Sequence, residues 1–282
     1  MIFVGHDWSE DHHDVAVMNE AGGLIRSARL SEGVAGVAGL HALVSGLIED
    51  PTEVVIGTET DRGLFIGAMV AAGYQVLAIN PKAVDRYRDR HRLAGGKSDT
   101  ADAKVLADLV RTDRHLHRPV AADTELAEAL KVLARAHKDF IWRRQDQINH
   151  LRSALREYYP AVIALFGADL AHPDALTVLT LAPTPEQGRR LSTADIAAGL
   201  RHAGRKRNIQ TRAELIHQAL TAPHLAAPSL VSKAYGASTA AAVAVLIELN
   251  RQISLLKTQL AELCDQHPDA QTYHSLPGLG TI

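Results

Sequence analysis

The chain has 282 residues, 46% of them hydrophobic, enough for one large domain or two ordinary ones, which excludes disorder of the whole. Its longest apolar run, Ala240 to Ile247, is far shorter than the roughly 20 residues of a bilayer span, and no basic region leads into an apolar stretch at the N-terminus. A soluble, cytoplasmic protein with no membrane partner is expected. The single Cys264 excludes an internal disulfide and a cysteine-based zinc site. A net charge of -2 hides a division: residues 1–80 hold three of the 30 basic residues and 11 of the 32 acidic ones, leaving 27 basic against 21 acidic. An acidic front can gather cations, and a basic remainder can neutralise phosphates.

Ile2 to Gly5, Asp14 to Met18 and Leu24 to Leu30 read as three strands, the last after the Gly22-Gly23 turn, and form an antiparallel meander. Val37, Leu40, Leu43, Val44 and Leu47 recur at helical spacing; Val54 to Gly57 is a strand, Gly63 to Ala72 a helix and Tyr74 to Ile79 another strand. The order β-β-β-α-β-α-β predicts an α/β fold, a mixed sheet with flanking helices of the RNase-H-like kind. From Asp123, a plausible N-cap, apolar residues step by three and four from Leu126 to Tyr158, with Pro160 near the stop. Leu246, Leu249, Ile253, Leu256, Leu260 and Leu263 repeat that seam, so two long helices are expected to pair antiparallel as a coiled coil, within one chain or between subunits. Ala161 to Ser238 between them reads as short helices and loops.

Two-metal phosphodiester chemistry needs oxygen ligands that hold divalent ions against the attacking and leaving oxygens, and Mg²⁺ prefers carboxylates. Asp7 ends the first strand, and Glu59 follows the fourth; if those strands are parallel neighbours, both acids emerge at one edge. Asp99 and Asp102 are spaced i, i+3 at the start of a helix and share its face. Taken singly, Asp99 reads as a first-turn acid, Asp102 as a solvated one and Glu59 as a turn residue. Lys82, Arg86, Arg88, Arg90, Arg92 and Lys97 precede the aspartate pair and are candidates for nucleic-acid binding, as are Arg205, Lys206 and Arg207. Gly96-Lys97-Ser98 is not a phosphate loop, because His91 stands where its first glycine belongs. Asp11-His12-His13 is expected to be a solvated polar turn rather than a manganese motif.

Four segments match a known pattern together: Val4-Gly5-His6-Asp7-Trp8-Ser9, Gly57-Thr58-Glu59-Thr60, Ile79-Asn80-Pro81, and Lys97-Ser98-Asp99-Thr100-Ala101-Asp102-Ala103. The chain resembles, along its whole length, the DEDD transposases of bacterial insertion sequences, family 110. The resemblance implies a RuvC-like catalytic domain over 1–120, in which Asp7, Glu59, Asp99 and Asp102 bind Mg²⁺ or, in its place, Mn²⁺. It also implies a helical coiled-coil region over 121–272 and the start of a C-terminal transposase domain over 273–282, with that domain's nucleophilic serine beyond Ile282. DNA, a structured guide RNA and further copies of the chain, through the coiled coils, are the implied partners. The expected function is metal-dependent DNA strand cleavage and exchange; a RuvC-like junction resolvase or nuclease and a non-catalytic nucleic-acid-binding scaffold are the alternatives. An actin-like ATPase shares the opening meander but would need a second glycine-rich phosphate loop.

Overall fold

The computed structural model describes residues 1–91, 99–120 and 124–276, the side chains of residues 91 and 99–101 excepted. Arg92, Lys97, Asp123 and the segment 277–282 therefore lie outside the described residues. The chain divides into two compact units, Met1–Asp123 and Thr124–Ile282.

The first unit is built on a six-stranded mixed sheet. Its strands are β1 (Ile2–Trp8), β2 (His12–Met18), β3 (Leu24–Ser31), β4 (Val54–Thr58), β5 (Gln75–Ala78) and β6 (Arg118–Pro119), in the order β3-β2-β1-β4-β5-β6. The meander β1 to β3 is antiparallel, β1, β4 and β5 run parallel, and β6 closes the edge antiparallel. This agrees with the RNase-H-like expectation and adds one strand to it. Helices α1 (Val34–Ser45), α2 (Leu64–Ala71), α3 (Pro81–His91) and α4 (Asp99–Asp113) flank the sheet. Ile2, Val4, Val54 and Ile56 pack on one sheet face with Leu40, Phe65 and Met69 of α1 and α2. Phe3, Val55 and Leu77 pack on the other with Val84 of α3 and Leu106 and Val110 of α4.

Two glycines let α4 lie directly on the strands. A Cβ on Gly5 of β1 would overlap the carbonyl oxygen of Ala103, and one on Gly57 of β4 would stand 2.9 Å from the carbonyl oxygen of Leu106. Gly5 and Gly57 are partners in the β1–β4 register, so the helix crosses both strands at one level. Any side chain there would lift it off the sheet.

The second unit is helical: α5 (Glu125–Tyr158), α6 (Pro160–Phe166), α7 (Pro173–Leu181), α8 (Pro185–Arg190), α9 (Thr193–His202), α10 (Ile209–Thr221), α11 (Ser229–Asp265) and α12 (Ala270–Ser275). The Thr124 hydroxyl, rather than the expected Asp123, caps α5 by accepting from the Ala127 amide. The long helices α5 and α11 pair antiparallel: Arg144 donates to Asn250 at 3.2 Å, and Tyr158 stands 2.7 Å from Thr239. The Tyr158 hydroxyl also donates to the Pro183 carbonyl at 2.7 Å, so it accepts from Thr239. By length and composition α11 could cross a membrane. Ser232, Thr239, Val243, Leu246, Ile253 and Leu260 are buried along it, and Glu248 and Arg251 form an ion pair on it.

Candidate functional site

The β1–β4 register runs from Ile2 opposite Val54 to His6 opposite Thr58, a constant offset of 52 residues (54 − 2); Asp7 is the next residue of β1, and Glu59 directly follows the end of β4. Alternation puts Phe3, Gly5 and Asp7 of β1, and Val55 and Gly57 of β4, on the face that α4 covers; Glu59, just past β4, lies within electrostatic reach of Arg88 and Asp102. The glycine crossings bring the first turn of α4, with half-buried Asp102, to the same edge. Asp99 opens that helix, and its side chain is outside the described residues. A fifth acid escaped sequence reasoning. Asp14 stands opposite Asp7 in the hairpin register, is 5% exposed, and is neutralised by a two-pronged bond from Arg29 (2.8 and 3.0 Å). The period-2 pattern of β2 could have found it, since Asp14, Ala16 and Met18 alternate with Val15 and Val17.

The acids share a field. Glu59 keeps a solvent-exposed edge, yet the protein mass around it pushes its carboxyl above the usual carboxylate range; the Arg88 guanidinium opposes that rise, and Asp85 and Asp102 add to it. Arg88 Nη2 lies 2.9 Å from Asp102 Oδ1, and Nη1 donates to Asp85 at 3.2 Å. The contact with Asp102 is close but misaligned, so that buried Oδ1 makes no hydrogen bond. Among the described residues no three His, Cys, Asp or Glu side chains stand close enough to hold a metal ion. What fits a hard divalent cation is the donor chemistry: carboxylate oxygens at one edge, a buried oxygen without a hydrogen bond, and a cationic group already drawn in.

Behind this edge, on the opposite sheet face, lies a chain of buried polar groups. His6 Nδ1 is 3.0 Å from Thr58 Oγ1, His6 Nε2 is 2.9 Å from His13 Nδ1, and His13 Nε2 is 2.5 Å from a Glu32 carboxylate oxygen. Both rings stack with Phe65, at centroid distances of 5.1 and 4.0 Å. This corrects the expected solvated turn at Asp11-His12-His13: His12 and His13 open β2, and pairing with β1 turns His13 inward beneath His6. Burial, with His13 adding to it, lowers the His6 pKa to about 3.

The basic candidates divide. Lys82, Arg86 and Arg90 are exposed on α3, as are Lys206 and Arg207 in the helical unit, whereas Arg88 is 18% exposed and turned toward Asp102. Arg205 donates to the buried Asp174 at 2.6 Å and to the Arg207 carbonyl at 3.1 Å. Arg212 approaches the same Asp174 oxygen at 3.4 Å, with its guanidinium over the Phe166 ring.

A family model described as a transposase, the DEDD transposases of IS110, matches residues 4–160. The chain belongs to this family of insertion-sequence transposases. Among its relatives, the "Mini-circle putative transposase for IS117" of Streptomyces coelicolor is 39% identical over all of this chain and 69% of its own length. The "Putative transposase y4uE" of Sinorhizobium fredii is 32% identical over 69% of this chain and 55% of its own length. A third relative, "Insertion element IS110 uncharacterized 43.6 kDa protein" of Streptomyces coelicolor, is 26% identical over 74% of this chain and 51% of its own length. The chain thus spans between about half and somewhat over two thirds of the relatives it matches. The residues matched by the IS110 model take in Asp7, Glu59, Asp99 and Asp102 and extend through α5.

Proposed function

We propose that this chain is the acid-bearing part of an insertion-sequence transposase that cleaves and exchanges DNA strands with the help of a divalent cation. The observation that supports the reading is the parallel pairing of β1 with β4 under α4, with Asp7 near the end of β1 and Glu59 just past the end of β4. Asp7, Glu59, Asp99 and Asp102 would hold Mg²⁺ or Mn²⁺, which supplies charge neutralisation at the scissile phosphate. Glu59 must be ionised to take part, and the cation that loads the site favours that form. Lys82, Arg86 and Arg90, and separately Lys206 and Arg207, are free to follow phosphate backbones. A structured guide RNA and self-association through the coiled-coil seams of α5 and α11 belong to the same proposal. Exposed Val132 and Trp142 on α5 and Val245 and Leu255 on α11 support the association. Its DNA substrate puts its work in the cytoplasm.

Asp7→Asn, Glu59→Gln and Asp102→Asn, made singly, test the reading. Each is expected to weaken Mn²⁺ binding at least about tenfold in calorimetric titration, the lower bound even for outer-shell partners. Each should also abolish transposition by the parent element while the melting point and DNA binding persist. Transposition that survives Asp102→Asn would make the chain a nucleic-acid-binding scaffold. Cleavage by the parent protein with no covalent protein–DNA adduct would make it a junction resolvase or nuclease.

A further inference from the structure

Arg88 is the one member of the basic run around it whose described side chain turns away from solvent. It lies on α3 where that helix packs on α4, and its guanidinium reaches Asp102 at 2.9 Å and Asp85 at 3.2 Å. It also holds down the Glu59 carboxyl, so one cation balances three acids at the strand edge. Its Nε is buried with no hydrogen-bond partner, which is an uncomfortable resting place for a guanidinium. A lysine could relieve such a position by losing its proton; an arginine cannot. Removing Arg88 would take away the guanidinium that stands against Asp102 and Asp85 and beside Glu59.

We infer that Arg88 is the resident counter-ion of the carboxylate edge and that a divalent cation binds there by displacing it from Asp102. The inference rests on the metal-binding reading above. A guanidinium and a divalent cation on the same Asp102 oxygen repel each other, and neither can give up its charge. Binding of the cation therefore requires the Arg88–Asp102 contact to open, while Asp85, one turn back on α3, keeps the arginine tethered nearby. Arg88 is a positioning residue in this scheme: before loading it holds Asp102 and Asp85 together through one guanidinium, and it makes the cation compete for them.

The test uses the 282-residue chain, its Arg88→Gln, Arg88→Lys and Arg86→Gln variants, and Mg²⁺ or Mn²⁺ alone as the probe. Calorimetric titration should show Arg88→Gln binding Mn²⁺ roughly tenfold or more tightly than the unsubstituted chain, a relief of one full opposing contact. Arg88→Lys should fall between them, because an ammonium keeps the charge but loses the two-pronged reach. Arg86→Gln removes the same charge from the exposed face of α3 and should shift affinity by less than about twofold, as screened charges do. In the ¹⁵N-labelled chain, the Arg88 Nε–Hε resonance, identified by its loss in Arg88→Gln, should move in step with Mg²⁺ saturation whatever the variants' stability. Equal cation affinity in Arg88→Gln and the unsubstituted chain, or a static Nε resonance at saturating Mg²⁺, overturns the inference and leaves the metal reading intact. Absence of cation binding in both chains, or binding unaffected by Asp102→Asn, overturns the two together.

Discussion

A carboxylate can only accept hydrogen bonds, and this property of Glu32 sets the direction of every bond behind the strand edge. His13 Nε2 must carry the proton that points at Glu32, so a neutral His13 presents Nδ1 as an acceptor to His6 Nε2–H. His6 Nδ1 then accepts from the Thr58 hydroxyl, and both histidines are satisfied in their neutral forms. A proton added to His6 would charge a buried ring beside His13 and force the Thr58 hydroxyl from donor to acceptor, in agreement with a folded pKa of about 3 against an ordinary 6.5. The unfolded chain therefore takes up that proton first, and stability from this group is fully present above pH 6.5 and lost as pH falls toward about 3. The loss approaches about 1.4 kcal/mol for each pH unit in that window. Melting curves from pH 7 downward should show a shallower acid slope for His6→Gln than for the unsubstituted chain; parallel slopes would exclude His6 as the source. Asp174 tests the other unit at the same scale. It is 3% exposed and serves Arg205 and Arg212, which keep a wet edge, so Asp174→Asn should cost about 3 kcal/mol, the low end for a broken buried pair. Denaturant unfolding at constant slope would measure it.

Helix α4 reaches the strand edge because two glycines remove the side chains that would hold it away. Gly5→Ala should therefore cost about 1–3 kcal/mol through overpacking against Ala103. It should also weaken divalent-cation binding, since the shift needed to seat the methyl group moves Asp102 relative to Asp7. Stability lost with cation affinity unchanged would mean that strand and helix move as one body. These glycines also show how far the fold could be read in advance. Strand alternation and the three-four step of the helices follow from local periodicity, so the meander, the βα alternation and both long helices were legible, as was the arrival of Asp7 and Glu59 at one edge. Other features depend on contacts made far along the chain. β6 is two residues long and one is Pro119, which carries no strand signal. His13 reads as polar and is buried because β1 brings His6, and α2 brings Phe65, over it. Arg88 is indistinguishable from its neighbours in a charge run until α3 meets α4.

The two units have separate cores. Among the described residues, the helical core runs from Ile148 to Leu246 and includes the buried pair Tyr158 and Tyr159. Among the described residues, the sheet cores lie within residues 1–120. A core that needs no residue from its neighbour is the physical condition for independent folding. Residues 124–276 expressed alone should accordingly give a helical spectrum and one cooperative melt, with amide protection greatest where α5 meets α11 around Tyr158 and Thr239. A gradual, non-cooperative loss of helix would show that the sheet unit is required to complete this core. The same fragment bears on self-association. α11 would span roughly 55 Å as a straight helix, and it leaves Val231, Val245, Ile247 and Leu255 in solvent. If that surface joins copies of the chain, the fragment should sediment as a concentration-dependent oligomer, and Val245→Glu with Leu255→Glu should return it to a monomer without lowering its melting point, because neither side chain contributes to the buried core.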